Sequence, residues 1–508
     1  MTEMCEGVHV PCENKEDEVK EVELKPKTIR IALFFDGTLN NRSNISAREK
    51  ESDDYLWHHD SDGGDSYDNG RTNIAIMQSH VGTDCSDYDF FSSGYIEGQG
   101  TFNLKGDSLW GYALAIGDSG VVGRAKTAVS RLVTLITRFD NFDKKSNNIE
   151  KLTIDVYGFS RGAATARYAI YLMLKDKKRP VFKRLKDLGY KIEESAVEIG
   201  FAGLYDTVLS YMASQKFKSS NNKLEQTAVK YAKKSLHLAA AEEHRKDFPL
   251  HNIKGAPGGE EYFLPGVHSD VGGSYNKANE DLLEQQEAAY KDAFIAGDSV
   301  IEDGRVYMLA SDESLVINKG KADEIFEDME YLAKQGWYRH ANLANSHQKN
   351  KTAMLDALAD KQVKRRKKSV TDGEFTMTLY YRRKRNDYQN LHPMYATLSV
   401  RRQAIASAYS NIPLKIMADY VIKETKIKLS DKLKRRADLI LKQSKLTALD
   451  DDVKSYVAST SSSKPQDWLD NDEIKNIRHD HLHFSSHLSI GYRPRFSKGK
   501  RKRYIYDA

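Results

Sequence analysis

Short apolar runs alternating with amphipathic stretches organise the chain from Thr28 onward. Thr28 to Phe35 (TIRIALFF) is an apolar run of strand length that stops at Asp36-Gly37, a pair suited to a sharp turn. Leu152 to Tyr157, Val197 to Tyr205 and Tyr262 to Val267 are runs of the same kind, and each predicts a buried strand. Between them, apolar positions recur at helical spacing over Ala125 to Phe139 and again from Ala163, and a further helix is predicted over Lys223 to Lys246. Strands separated by helices predict an α/β fold, with a mostly parallel sheet flanked by helices on both faces.

The pattern also sets expected boundaries. Residues 1–27 are acidic and read as a disordered tail, and 28–280 hold the strand and helix alternation. Residues 281–375 read as a charged helical insertion, with helices over 281–295 and 321–335, and 376–508 as a region that completes the core or is appended to it, opening on a strand at Phe375 to Arg382. Asn41 to Asn69 is rich in Ser, Asp, Gly and Asn and reads as an exposed loop; its aspartates do not fit a calcium-loop spacing. Gly117, Gly120 and Gly123 are spaced G-x-x-G-x-x-G rather than as a dinucleotide fingerprint, so no nucleotide site is expected there.

Composition narrows the class. With 508 residues, 40% apolar and 30% charged, the chain has the make-up of a large globular protein, which excludes general disorder. No apolar run approaches the roughly 18 residues of a membrane span. The first 25 residues lack an apolar signal region, so the chain is expected to be made and folded in the cytoplasm. Cys5, Cys12 and Cys85 match neither a disulfide framework nor a zinc motif. Lys and Arg exceed Asp and Glu by 78 − 73 = 5, which implies no general affinity for nucleic acid. The excess is concentrated: 361–368 (KQVKRRKK) holds six basic residues in eight, and the stretch from Arg493 holds seven against one Asp. Both patches fit either plain solvated charge or an anionic membrane surface.

Candidate chemistry centres on Gly158-Phe159-Ser160-Arg161-Gly162, set between the strand LTIDVY and the helix-forming run AATARYAIYLML. Small residues beside the serine permit a strained strand-to-helix turn, which lifts a nucleophile to a helix N-terminus where backbone N–H groups favour an oxyanion. Arg161 N–H is one expected donor, and a Gly-flanked turn serine is the bland alternative. An unassisted serine hydroxyl is a poor nucleophile, so a base and an orienting acid are required. Asp206 follows the strand FAGLY and reads as that acid or as a helix N-cap. His268, in LPGVHSDVGGSY, follows the next strand, in a loop where Gly266, Gly272 and Gly273 allow an imidazole to reach the serine, and is the expected base. Asp270 is the alternative acid and His483 the reserve base. In FFDGTLNN, Gly37 or Thr38 offers a second oxyanion donor, with Asp36 and Asn41 fixing the loop, or else this is an ordinary Asp-Gly turn. His479, His481, His483 and His487 complete no recognised metal spacing; alternation would put His481 and His483 on one side of a strand. No metal or cofactor is expected.

FFDGTLNN, GFSRGAATAR, GLYDTV and LPGVHSDVGGSY, in this order, resemble the bacterial phospholipases delivered by type VI secretion systems, specifically the first family of those lipase effectors. The resemblance spans about residues 30 to 276. It implies an α/β-hydrolase fold, a Ser160, Asp206 and His268 triad, and phospholipase A activity on glycerophospholipids without a metal. It further implies delivery into a target-cell periplasm, a secretion-spike partner, a cognate immunity protein and membrane-targeting modules near the active-site mouth. A non-catalytic scaffold on a hydrolase fold, or a housekeeping esterase or peptidase, are the competing readings; the complete set of three catalytic residue types argues against the scaffold.

Overall fold

The structure is a computed structural model that describes residues 24–59, 65–108, 118–209, 224–243, 245–275, 300–308, 331–337, 339, 367–372, 374–384, 387–401, 405–485, 496–497 and 500–507. Its centre is a six-stranded sheet built from β1 (Lys25–Phe35), β2 (Phe90–Ile96), β3 (Asn147–Phe159), β4 (Val197–Tyr205), β5 (Ala232–Ala240) and β6 (Gly259–Leu264), in the order β2-β1-β3-β4-β5-β6. Every neighbouring pair is parallel. The expected α/β-hydrolase-like sheet is therefore present. Register aligns Phe35 with Gly158, Phe159 with Tyr205 and Tyr205 with Leu238, so the carboxyl ends of these strands lie together at one edge of the sheet.

The two-residue period of β1 divides the core. Ile29, Ile31, Leu33 and Phe35 join a cluster with Ala125, Val129 and Leu132 of α1 (Val121–Thr137) and with Ala163, Ala166 and Ile170 of α2 (Arg161–Leu174). Ala32 and Phe34 face the other way, into a cluster that includes Ile74 to Met77 of the helix Asn73–Ser79 and Ile412, Leu414 and Met417 of a helix at Asn411–Thr425. The later part of the chain thus supplies much of one covering layer. Among the described residues no helix is long and apolar enough to cross a membrane.

Several elements differ from expectation. The described residues of the stretch 41–69 are not an open loop: they form the helices Arg42–Glu49, Asp53–His59 and Asp65–Asp68, and 60–64 lie outside the described residues. Buried Asn44 donates to Ser66 Oγ at 2.8 Å and to the Phe102 carbonyl at 3.1 Å, and Ile45, Ala47 and Tyr67 are buried apolar residues of the same stretch. The helix expected at Lys223 to Lys246 is instead a short 3₁₀ turn, Gln226–Tyr231, followed by β5. Ser235 to Ala240 are all buried between β4 and β6, and a strand covered on both faces shows no alternation to distinguish it from a helix. β2 has no counterpart among the predicted strands; its Gly94 packs closely on α1, where a Cβ would stand 3.1 Å from Leu135.

Strand β1 begins at Lys25, slightly before the expected boundary. The expected strand at Phe375 to Arg382 runs Phe375–Lys384 and lies in a four-stranded antiparallel sheet with Val300–Met308, Lys367–Asp372 and Asp387–Arg401, so the span read as helical also contributes strands. Of the helix expected over 321–335, residues 331–334 are helical, 335 is a turn, and 321–330 lie outside the described residues, as do 281–295 and positions 361–366 of the basic run.

Candidate active site

At the end of β3 the chain reverses within one residue. Ser160 has φ 58° and ψ −129°, a conformation that costs a non-glycine residue of order 1–3 kcal/mol, and it opens α2. The turn is held by the Ser160 N–H donating to the Tyr205 carbonyl at 3.1 Å, while the Ser160 carbonyl accepts from Ala163, Ala164 and Val208. The flanking glycines are required by contact. A Cβ on Gly158 would stand 2.5 Å from Ala163 Cα, and one on Gly162 would stand 2.3 Å from the Asp36 carbonyl oxygen.

Three side chains from separate strand ends converge there. His268 opens a short helix, His268–Gly272, beyond β6, and its Nε2 is 2.8 Å from Ser160 Oγ. Its Nδ1 is 2.5 Å from Asp206 Oδ2, and Asp206 is the residue that follows β4. Among the described residues Asp206 caps no helix. It has φ 38° and accepts the Ala240 N–H at 2.9 Å, so backbone at the end of β5 fixes it. The imidazole is wedged between Phe159, 4.6 Å away centroid to centroid, and the edge of Phe248 at 5.0 Å. Gly272 is needed here too, since a Cβ would meet the Phe159 ring at 2.0 Å. All three residues are buried, with Ser160 5% exposed.

Electrostatics set the protonation pattern. Burial pushes Asp206 upward, but the Arg503 guanidinium and His268 outweigh it and hold the carboxyl far below its ordinary range. Burial pushes His268 below its ordinary value against the pull of Asp206, which favours a neutral ring able to accept a proton. Glu243 takes the His268 backbone N–H at 3.2 Å and is itself gripped by Arg245 at 2.9 and 3.0 Å and by Ser485 Oγ at 2.8 Å. Although burial opposes it, Arg245 holds Glu243 down at about 2.

The turn after β1 lies beside the serine. Asp36 accepts from Gly37 N at 2.8 Å, Thr72 Oγ1 at 2.7 Å and Tyr95 Oη at 2.5 Å, and burial raises its carboxyl to about 6. The Gly37 N–H, one of the expected oxyanion donors, is thus engaged by Asp36. Among the described residues the Thr38 N–H meets no acceptor, and Thr38 Oγ1 accepts from Arg161 Nε. Asn41 caps the helix Arg42–Glu49 through Ser43 N at 2.9 Å and donates to Thr101 Oγ1 at 3.2 Å, which anchors the far side of this loop.

Asp270 and His483 stand apart from the serine. His483 Nδ1 is 2.7 Å from Asp270 Oδ1, its N–H donates to the same carboxylate at 3.1 Å, and its ring stacks on Tyr275 at 3.5 Å. Neither reserve residue is brought to Ser160 or to His268. Asp270 instead accepts the Val267 N–H at 3.0 Å and ties the His268 turn to residue 483. His479 and His481 lie on the helix Ile474–His481 rather than on a strand, and His479 Nε2 meets Glu374 at 2.8 Å. Among the described residues no cluster of three His, Cys, Asp or Glu is arranged to hold a metal; His487 lies outside them.

One residue of the site has no counterpart among the expected ones. Arg503 grips Asp206 with both terminal nitrogens, at 2.6 Å and 2.8 Å. It belongs to the basic stretch read as a surface patch, yet its side chain is 6% exposed.

Residues 173–292 match the family model described as the catalytic domain of type VI secretion, Tle1-like phospholipase effectors. The chain is similar to Tle1-like phospholipase effectors. The matched stretch contains Asp206 and His268 and begins after Ser160, so the serine rests on its own motif and geometry. In fold, the similarity extends over the whole molecule: a Tle1 effector, solved bound to the VgrG spike of a type VI secretion system, aligns at TM-score 0.59 with 20% identity over 99% of both chains. An uncharacterized protein from Pseudomonas aeruginosa aligns at TM-score 0.28 and 20% identity over 50% of this chain and 42% of its own, too weakly to bear on the fold. No curated protein sequence matches the chain.

Proposed function

We propose that the chain is a serine-dependent phospholipase A, a carboxylic ester hydrolase acting on membrane glycerophospholipids, and that Ser160, His268 and Asp206 carry the reaction. The single observation behind this reading is the unbroken chain of contacts from Ser160 Oγ through His268 to Asp206, at 2.8 and 2.5 Å, on a strained turn at a helix N-terminus. Neutral His268 Nε2 takes the hydroxyl proton as Ser160 Oγ attacks the ester carbonyl. Negative charge then gathers on the former carbonyl oxygen, where the Arg161 N–H, aided by the helix dipole, and the Thr38 N–H are the donors. His268 returns the proton to the departing lysophospholipid alkoxide, and water, activated by the same imidazole, releases the fatty acid from Ser160. Asp206 keeps Nδ1 protonated and steadies the imidazolium.

Biologically, the family match and the Tle1 fold support an antibacterial effector delivered by type VI secretion to the target-cell periplasm, with a spike protein and a cognate immunity protein as partners. The test is mass spectrometry of lipids from defined phosphatidylethanolamine and phosphatidylglycerol vesicles. Wild type yields lysophospholipid and free fatty acid in equal amounts, and Ser160→Ala yields neither. Retained hydrolysis by Ser160→Ala, or release of a phosphorylated headgroup instead, contradicts the reading.

A further inference from the structure

Asp206 lacks access to water, and a buried carboxylate is stable only when paired. Its pairing is unusually complete. Oδ1 accepts the Ala240 N–H and Oδ2 faces His268 Nδ1, while Arg503 spans both oxygens in a forked arrangement. Arg503 is itself fixed by donating to the carbonyls of Phe248 at 2.9 Å and Ala240 at 3.0 Å. Just beyond it, Ile505–Tyr506 pairs in parallel with Leu250–His251, with Leu250 N donating to the Tyr504 carbonyl and Asn252 N to the Tyr506 carbonyl. A two-residue strand is a weak element alone, but here it sets the position of the preceding guanidinium.

We propose that Arg503 is the positioning residue of the catalytic acid, seated by the strand at 505–506, and that it tunes the base through that acid. This rests on the reading of Ser160, His268 and Asp206 as the catalytic set. The fork fixes the plane of the carboxylate so that Oδ2 meets His268 Nδ1, which a single N–H from Ala240 does not do. Its charge opposes protonation of the pair. The charged groups facing His268 are Asp206 at the end of β4, Glu243 and Arg245 after β5, and Arg503 behind Asp206; two of the four are cationic. Removing Arg503 leaves the Asp206 charge less balanced, so the imidazolium gains stability and the base stays protonated to higher pH. The result is a shift of the acid limb of the rate profile upward, together with loss of rate from a carboxylate free to rotate.

The experiment compares purified full-length wild type, Arg503→Gln, Arg503→Lys and Ser160→Ala on a soluble short-chain p-nitrophenyl ester across pH, with thermal unfolding of each. Arg503→Gln is expected to lower kcat roughly ten- to a hundredfold, the scale of a misplaced catalytic group, and to move the acid limb to higher pH. Arg503→Lys, which keeps the charge and loses the fork, is expected to restore the limb while kcat stays reduced. If Arg503→Gln retains the wild-type acid limb, whatever its rate, Arg503 is a clamp on the fold and the inference is overturned. Should Arg503→Gln not fold, Arg503→Lys decides: wild-type kcat overturns the inference, and reduced kcat at an unchanged limb and melting temperature supports it. Activity in Ser160→Ala would instead overturn the underlying catalytic reading.

Discussion

Ser160, Asp206 and His268, the proposed catalytic residues that the structure brings together, stand out in the sequence because each follows a strand, so a local apolar run followed by a small or polar residue marks it. Arg503 carries no such mark: it is 297 residues from Asp206, within a stretch whose seven basic residues look alike in sequence. The bond between Asp270 and His483 was hidden for the same reason, at a separation of 213. The protonation states lead to two expectations. The proposed mechanism needs His268 neutral, and burial lowers its pKa, so kcat/KM is expected to rise with pH through a limb below the ~6.5 of an unperturbed histidine. A pH profile of kcat/KM with its acid limb above that value contradicts the assigned environment. Asp206→Asn places the wrong tautomer against the serine, and stopped-flow or steady-state assays are expected to show kcat lower by about 10⁴ with the fold retained.

At the scale of elements, the site depends on how closely the turn after β1 approaches the start of α2. Gly162 lies against the Phe35 and Asp36 carbonyls, and the sequence signalled the need for a small residue there without identifying the neighbour. Gly162→Ala forces backbone apart, since the obstructing atoms are carbonyl oxygens at 2.3 and 2.4 Å rather than a yielding side chain. The expected cost is about 1–3 kcal/mol in urea unfolding, together with loss of ester hydrolysis. Unchanged stability would show that the turn has slack the geometry does not suggest. The misread elements share one cause. β5 is buried on both faces from Ser235 to Ala240 and is rich in Lys, Leu and Ala, so composition favoured a helix, and the pairing that makes it a strand comes from β4 and β6. Likewise the helices Arg42–Glu49 and Asp65–Asp68 are held through Asn44, Ser66 and Tyr67, which are buried, with Asn44 donating to the Phe102 carbonyl and Ser66 N to Asp107, contacts distant in sequence.

For the whole molecule, the catalytic stretch and the later chain form one packed body. Arg478 and Glu242 are both inaccessible and ion-paired, and Arg478 also donates to the carbonyls of Gln335 at 2.7 Å and Trp468 at 2.6 Å, joining three distant segments one residue before Glu243. Arg478→Ala strands the Glu242 charge in the interior, and chemical denaturation is expected to show a loss of about 3–5 kcal/mol. The most direct test of the central claim is labelling with a fluorophosphonate, followed by peptide mapping and by vesicle hydrolysis on the same samples. The account predicts a single adduct on the peptide containing Ser160, with phospholipid hydrolysis falling in step with its occupancy. Full occupancy of Ser160 with hydrolysis intact, or inactivation by an adduct on another residue, would contradict it.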